Sequence, residues 1–394
     1  MSEQAMTSPN KHPQGPVLVV GSGLAGWSLV REFRKLDAET PVLMVTADAG
    51  DFYAKPALSN AFAQNKQPEQ LVTTPAERMV STLGVTLLQR TRVESIDVQA
   101  QEISTSKGTF GYRQLVLATG AQAIRLPLQG DAAEAVLSVN SLEDYAAFRA
   151  QLMPQARVLI MGAGLIGCEF ANDLALGGYA VQVVDPNAAP LAALLPEAAS
   201  VQLRQALSDL GVRWHWQTTV KAVHKQGDAY AVELSNGQIQ SVDLVLSAVG
   251  LRADTVLAQK AGLDVERGVL VNAQLKTSAD HVYALGDNTQ YASTSADGVS
   301  RTLPYVMPIM AAAKALAQTL AGNATDVVFP LMPVAVKTPA LPLVVAAPAP
   351  GVAGEWQARE QGIWQFISNT HVRGFVLSGK QTARRAEQSK CVAI

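Results

Sequence analysis

Cysteine is almost missing from this chain. Its 394 residues contain two, Cys168 and Cys391. They form no C-x-x-C pair and stand in no histidine cluster, so neither a dithiol centre nor a thiolate metal site is written into the sequence. Cys168 lies among small and apolar residues, where packing is the plain reading; Cys391 lies in the tail. Histidine is equally sparse. His12, His215, His224, His281 and His371 are scattered, and no acid–base pair emerges from them. An excess of one charge sign is missing too: the formal net charge is −2, which leaves no footprint of nucleic-acid binding. No apolar run is long enough to cross a bilayer. The opening residues MSEQAMTSPNKHPQGP lack the apolar core of a signal peptide. They read as a loose tail over 1–16, and the cytoplasm is the expected compartment.

Glycine, by contrast, is placed with a pattern. VLVVGSGLAGWSLV (17–30) and VLIMGAGLIGCEFA (158–171) share one construction. A strand of branched apolar residues runs into G-x-G-x-x-G and then into a helical pattern. The first glycine permits a tight turn, the second lets a diphosphate approach the backbone, and the third allows close helix–strand packing. The diphosphate then meets free N–H groups at a helix N-terminus. Gly21, Gly23, Leu24, Ala25 and Gly26 form one candidate site; Gly162, Gly164, Leu165, Ile166 and Gly167 form the other. One such loop is weak evidence, but two in the right context point to two bound dinucleotides.

The rest of the chain fits an α/β protein of about two or three domains. Strand patterns at PVLMVTAD (41–48), LVLATGA (115–121), YAVQVVDP (179–186), LVLSAVG (244–250) and HVYALGD (281–287) alternate with helical patterns such as EDYAAFRAQL (143–152) and MAAAKALAQTLAG (310–322). Beyond about residue 325 the chain becomes rich in proline and short apolar runs, which suggests a small C-terminal α+β domain. The expected fold is two Rossmann-like dinucleotide-binding domains followed by that small one.

Acids at strand ends discriminate between the nucleotides. Asp185 follows Gly162 at the spacing of a carboxylate that bonds ribose hydroxyls and repels a 2′-phosphate, which favours NAD(H) at the second loop. At the first, the strand ends in Thr46, Ala47 and Asp48. Asp48 either bonds the adenosine ribose or starts the next turn. Gly286 and Asp287 end a late strand in Y-A-L-G-D. An N-terminal loop with a distant strand-end aspartate suits an extended FAD held along its ribityl chain; the plainer reading of Asp287 is a helix N-cap.

The order of loop, A-T-G (Ala118, Thr119, Gly120), second loop, S-A-V-G (with Val249 and Gly250) and Y-A-L-G-D resembles the FAD-dependent pyridine nucleotide-disulfide oxidoreductases. Within them the chain is similar to the rubredoxin–NAD(+) reductases, through FYAKPALS (52–59), GAGLIGCEFANDL (162–174), SAVGLR (247–252), YVMPIMAAAKALAQTLAGN (305–323) and MPVAVKTPALPLVV (332–345). It departs from the superfamily at Thr46, where a glutamate is usual. The resemblance implies tightly bound FAD in a discontinuous domain of 17–125 and 253–325, NAD(H) in 126–252, and a small domain at 326–394. It places Lys55 near the flavin N5 edge and Glu169 at the flavin–nicotinamide junction, paired with Lys55. It puts Lys337 and the backbone of Val306 at the flavin ring, and Val93 on a strand that reads adenine.

The scarcity of cysteine then selects a branch. Disulfide reductases need a cysteine pair beside the flavin, and related peroxidases and oxidases a single cysteine after the first unit. FYAKPALSNAF has none. Electron transfer from NADH through FAD to rubredoxin is the function the resemblance implies, in service of an alkane-type hydroxylase. A [2Fe–2S] ferredoxin is the alternative acceptor, and a non-catalytic NADH-binding flavoprotein sensor the alternative class. An acidic protein partner calls for a basic patch, with Arg125, Arg301 and Lys314 as candidates.

Overall fold

The computed structural model describes residues 10–295 and 298–393. The chain forms two compact units. The first comprises residues up to Tyr53, Val72–Gln122 and Arg252–Met332; the second comprises Ala54–Leu71, Ala123–Leu251 and Pro333 onward.

The first unit is built on a parallel sheet in the order Val282–Ala284, Gln114–Leu117, Val17–Val20, Val42–Val45, Thr86–Leu88. Val17–Val20 is central and buried at every position, as its unbroken branched apolar run requires. The helix after the first loop, Leu24–Arg34, buries Ala25, Leu29, Val30 and Phe33. Gly26, Trp27 and Ser28 are buried as well, so more than one stripe of this helix is covered. An antiparallel sheet of Val93–Asp97, Glu102–Thr105 and Gly108–Gly111 is inserted in sequence between the parallel strands Thr86–Leu88 and Gln114–Leu117.

The second unit repeats this plan. Its parallel sheet runs Arg213–Trp216, Ala180–Asp185, Arg157–Met161, Leu244–Ser247, and its antiparallel sheet is Val220–Gln226, Ala229–Leu234, Ile239–Val242. In both units the loop-bearing strand stands between the second strand and a later one. The loop therefore opens at the carboxyl ends of the strands, where ligands of open α/β sheets bind. The C-terminal residues of this unit form a five-stranded antiparallel sheet, in order Val334–Val336, Leu343–Ala346, His371–Ser378, Ile363–Ser368, Glu355–Glu360.

Three features depart from the reading in sequence order. Ala54–Leu71 packs with the second unit although it lies between segments of the first. The tail is tied down from residue 10: Asn10 Nδ2 donates to the Arg113 carbonyl at 2.9 Å, and His12 Nε2 lies 3.1 Å from the Ala100 carbonyl. Residues 1–9 of the expected loose tail lie outside the described residues. Asp287 caps no helix, because a strand, Thr289–Tyr291, follows it and pairs in parallel with Val269–Leu270. The β-branched and aromatic residues there suit a strand. The helix begins later, at Val306. Among the described residues no helix is long and apolar enough to cross a membrane.

Candidate functional site

The two glycine loops have matching geometry. Gly21 has φ +108°, and a Cβ there would stand 2.2 Å from the Ala118 carbonyl oxygen; a Cβ on Gly26 would stand 2.1 Å from the Gly21 carbonyl oxygen. Gly162 has φ +100°, and a Cβ there would stand 2.7 Å from the Ala248 carbonyl oxygen, while a Cβ on Gly167 would overlap the Gly162 carbonyl oxygen. These positions leave no room for a side chain. The middle glycines differ: a Cβ on Gly23 or Gly164 would meet nothing within 4 Å. Each middle glycine is the N-cap of its helix, with no side-chain cap on the free N–H groups, and no acid stands in either first turn. Leu24 and Ala25, and Leu165 and Ile166, are the first residues of those helices. Both loops are thus anion cradles whose open face lies at the second glycine.

In the first unit the loop gathers the distant pieces expected of a split site. Gly286, at φ +93°, comes so close to the first-loop helix that an added Cβ would lie 2.9 Å from Ala25 Cβ. Its N–H donates to Tyr291 Oη at 3.0 Å, and Leu285 N donates to the Leu117 carbonyl at 3.1 Å. Half-buried Asp287 is therefore held beside the start of that helix. Thr119 Oγ1 donates to the Asp254 carbonyl at 3.0 Å, and Gly120 accepts from Asp254 N at 2.9 Å, so the A-T-G turn anchors the returning chain. Val93 is buried at the start of its strand, paired with Thr105. Val306 is exposed as the first residue of the helix Val306–Leu320.

Thr46 is buried and faces inward, whereas Ala47 is exposed. Asp48 Oδ1 accepts from Ser22 Oγ at 2.9 Å, Thr46 Oγ1 at 2.6 Å and Gly50 N at 2.8 Å. The threonine and Ser22 thus orient Asp48. Ser22 carried no signal in the sequence beyond lying between two loop glycines.

In the second unit Asp185 is buried at its strand end. One carboxylate oxygen accepts from Ala163 N at 2.6 Å, and the other from Asn187 N and Nδ2 at 2.8 Å each. The carboxylate therefore shapes its own loop as well as offering charge to a ribose. Gly250, at φ +113°, accepts from Ile124 N at 3.1 Å, and Val249 packs against the core below it. The duplication reaches further than the glycines. Arg90 and Gln217 both have positive φ; Thr91 N donates to the Thr46 carbonyl at 2.8 Å, and Thr218 N to the Asp185 carbonyl at 3.3 Å. Val220 thereby occupies in the second unit the place that Val93 holds in the first. The repeated T-x-V of TRV and TTV was the available signal for it.

Glu169 is the fifth residue of Leu165–Leu176, in its second turn, and it is buried. Its carboxylate meets Lys337. Lys337 N donates to Oε1 at 3.0 Å and Lys337 Nζ donates to Oε2, where Ser59 Oγ also donates at 2.6 Å. Lys55 is exposed, and its Nζ lies 3.5 Å from Asn140 Oδ1. Ser59 had no sequence signal, being one hydroxyl in an apolar segment. Cys168, beside Glu169, is fully buried. Burial, with Asp185 and Glu169 nearby, pushes its thiol far above the usual range. Of the basic residues, Arg125 is exposed in the second unit, Lys314 exposed and Arg301 half-buried in the first. Among the described residues no group of three or more His, Cys, Asp and Glu could hold a metal.

Two strand-end phosphate cradles in duplicated α/β units fit one dinucleotide each, and residues 15–318 match the family described as pyridine nucleotide-disulphide oxidoreductase. The chain belongs to that family. It is an oxidoreductase that uses FAD and NAD(H). Residues 326–390 match the rubredoxin binding C-terminal domain. The rubredoxin-NAD(+) reductase of Alcanivorax borkumensis is 46% identical over 88% of this chain and 89% of its own. That of Acinetobacter baylyi is 44% identical over 94% and 95%. A nitric oxide reductase FlRd-NAD(+) reductase of Aeromonas salmonicida is 41% identical over 87% and 86%. Among solved structures, a ferredoxin reductase from Rhodopseudomonas palustris matches with TM-score 0.88 at 23% identity over 96% of both chains. A putidaredoxin reductase bound to putidaredoxin matches with TM-score 0.87 at 23% identity, over 96% and 93%. These two share the fold.

Proposed function

We propose that this chain oxidises NADH and delivers the electrons one at a time to rubredoxin. Bound FAD supplies the step between two-electron and one-electron chemistry. The observation that carries the reading is the match of residues 326–390, which contain the C-terminal sheet, to a rubredoxin-binding domain on a chain with two dinucleotide cradles.

In this reading the first loop, with Gly21, Gly23, Leu24, Ala25 and Gly26, holds the FAD diphosphate. Asp48, oriented by Ser22 and Thr46, takes the adenosine ribose in place of the missing glutamate. Ala47 flanks that ribose, the backbone of Val93 reads the adenine, and Ala118, Thr119 and Gly120 line the cofactor. Gly286 and Asp287 hold the ribityl chain, and Val306 offers an N–H at a helix N-terminus to the ring. The second loop, with Gly162, Gly164, Leu165, Ile166 and Gly167, receives NADH; Asp185 takes its ribose hydroxyls and Val249 and Gly250 line its path. Lys55 and Lys337 supply positive charge where the reduced ring gathers electron density. Glu169 fixes Lys337 and orients the nicotinamide. The domain plan is FAD-binding at 17–125 and 253–325, NAD(H)-binding at 126–252, and acceptor-binding at 326–394. Cytoplasmic location and service to an alkane-type hydroxylase belong to the same proposal.

The scarcity of thiols supports direct transfer to a metal protein. The two cysteines lie far apart in the sequence, and one of them is fully buried, which leaves disulfide chemistry without its pair. The deciding experiment is steady-state reduction of rubredoxin by NADH with catalytic amounts of the protein, beside a plant-type [2Fe–2S] ferredoxin. Rapid turnover with rubredoxin is expected. Preference for ferredoxin would move the chain to an oxygenase system, and sluggish turnover with both would indicate a sensor. Rates with rubredoxin should fall as salt rises, if basic residues such as Arg125, Arg301 and Lys314 steer it.

A further inference from the structure

One face of the helix Leu165–Leu176 carries Glu169, Asn172 and Asp173, spaced i, i+3 and i+4. All three are buried, and all three grip backbone or side chains from elsewhere in the second unit. Asp173 Oδ2 accepts from Ala61 N and Phe62 N at 2.8 Å each, and Oδ1 from Ala63 N at 3.0 Å. Glu169, one turn earlier, accepts from Ser59 Oγ. Asn172 Oδ1 accepts from Ala340 N at 3.0 Å, while Glu169 accepts from Lys337. This helix begins at the proposed NADH cradle. It therefore holds both of the segments that carry the candidate flavin lysines.

We propose that Asp173 is a positioning residue: it anchors residues 61–63 to the NADH-loop helix and so sets where Lys55 stands. Lys55 opens a stretch of 3-10 turns, Lys55–Asn60, which kinks at Ser59 and leads into the anchored residues. Phe62, whose N–H is held, lies 4.9 Å from Tyr145, 5.4 Å from Phe148 and 6.3 Å from Phe170 between ring centroids. Its ring packs the same segment against those three aromatic side chains. A buried carboxylate is a costly way to close a surface. Burial raises the Asp173 carboxyl above its ordinary range in spite of the three donors. What the carboxylate provides is two acceptor oxygens that bind three successive N–H groups in one fixed geometry; an amide offers one oxygen.

The proposal rests on the functional reading only for what Lys55 does, and the test separates the two. Amide hydrogen exchange at Ala61, Phe62 and Ala63 should be slow in the wild-type protein; free exchange there would overturn the anchor without any variant being needed. In D173N the single remaining oxygen can serve Ala61 and Phe62, or Ala63, but not both. Exchange on at least one side should quicken about tenfold or more, while the strands Ile363–Ser368 and His371–Ser378 stay protected. Unchanged exchange would overturn the proposal. The flavin midpoint potential should shift in D173N, and kcat should fall severalfold at an unaltered KM for NADH. K55M should shift the potential while leaving exchange at 61–63 as in the wild type. Faster exchange in D173N with no change of potential in either variant would uphold the anchor and sink the flavin role of Lys55.

Discussion

Lys337 meets Glu169 twice, once through its backbone N–H on Oε1 and once through its ammonium on Oε2. The carboxylate is 7% exposed and the lysine side chain 29%. Two donors from one residue fix that residue's backbone as well as its charge, so the pair sets the position of the chain just after the strand Val334–Val336. K337M leaves the buried carboxylate with only the backbone N–H and Ser59. We expect a loss of about 1–3 kcal/mol in stability, less than for a wholly buried pair because the ammonium is partly solvated. E169Q/K337M should recover part of that loss. A double-mutant cycle by urea unfolding measures the coupling, and additive effects would contradict it. Both single variants should also slow flavin reduction by NADH about 10- to 100-fold.

The glycines separate by role. Gly23 and Gly164 face open space with φ of −70° and −75°, so alanine fits the fold at either position. G23A should fold and retain FAD poorly; G164A should fold, stay yellow and bind NADH weakly. Gly26 and Gly167 press on carbonyl oxygens, so G26A and G167A should unfold earlier by several degrees or fail to accumulate. Thermal melts with flavin content and NADH titration distinguish these four outcomes.

Asp185 has two tasks, and D185S should show both. Loss of the carboxylate frees Ala163 N and Asn187 and removes the repulsion of a 2′-phosphate. KM for NADH should rise about tenfold and the preference over NADPH should narrow. An unchanged ratio of kcat/KM for the two nucleotides would show that selectivity lies elsewhere.

The thiols give an independent check. Cys391 is exposed and Cys168 is fully buried with its thiol pushed up, so one thiol should titrate in the native protein and two after denaturation. C168S and C391S should each reduce rubredoxin at close to the wild-type rate. Loss of activity in either would contradict direct transfer.

The parts legible in the sequence were those written in local patterns. The strands at Val17–Val20 and Arg157–Met161 and the turns at Gly21 and Gly162 follow from branched apolar runs and glycine spacing within a few residues. What long-range contacts decide was hidden. Glu169 meets a lysine 168 positions away, and Asp173 takes three N–H groups more than a hundred positions before it. The Asp173 bonds, with those of Ser59 to Glu169 and Tyr145 to the Lys66 carbonyl, help tie Ala54–Leu71 to the second unit. The plainer reading of Asp287, a helix cap, rested on the common acid-then-helix pattern; the pairing of Thr289–Tyr291 with Val269–Leu270 gives that stretch to a sheet. Composition alone suggested a free tail, but Asn10 and His12 find carbonyls at residues 113 and 100.

One chain that takes electrons in pairs from NADH releases them singly to rubredoxin. Anaerobic double-mixing stopped flow tests it most directly: NADH first, rubredoxin second, with flavin absorbance followed throughout. The flavin should bleach rapidly and then recover rapidly, matched by reduction of two rubredoxins for each NADH. Rapid bleaching with recovery no faster than in buffer would contradict it.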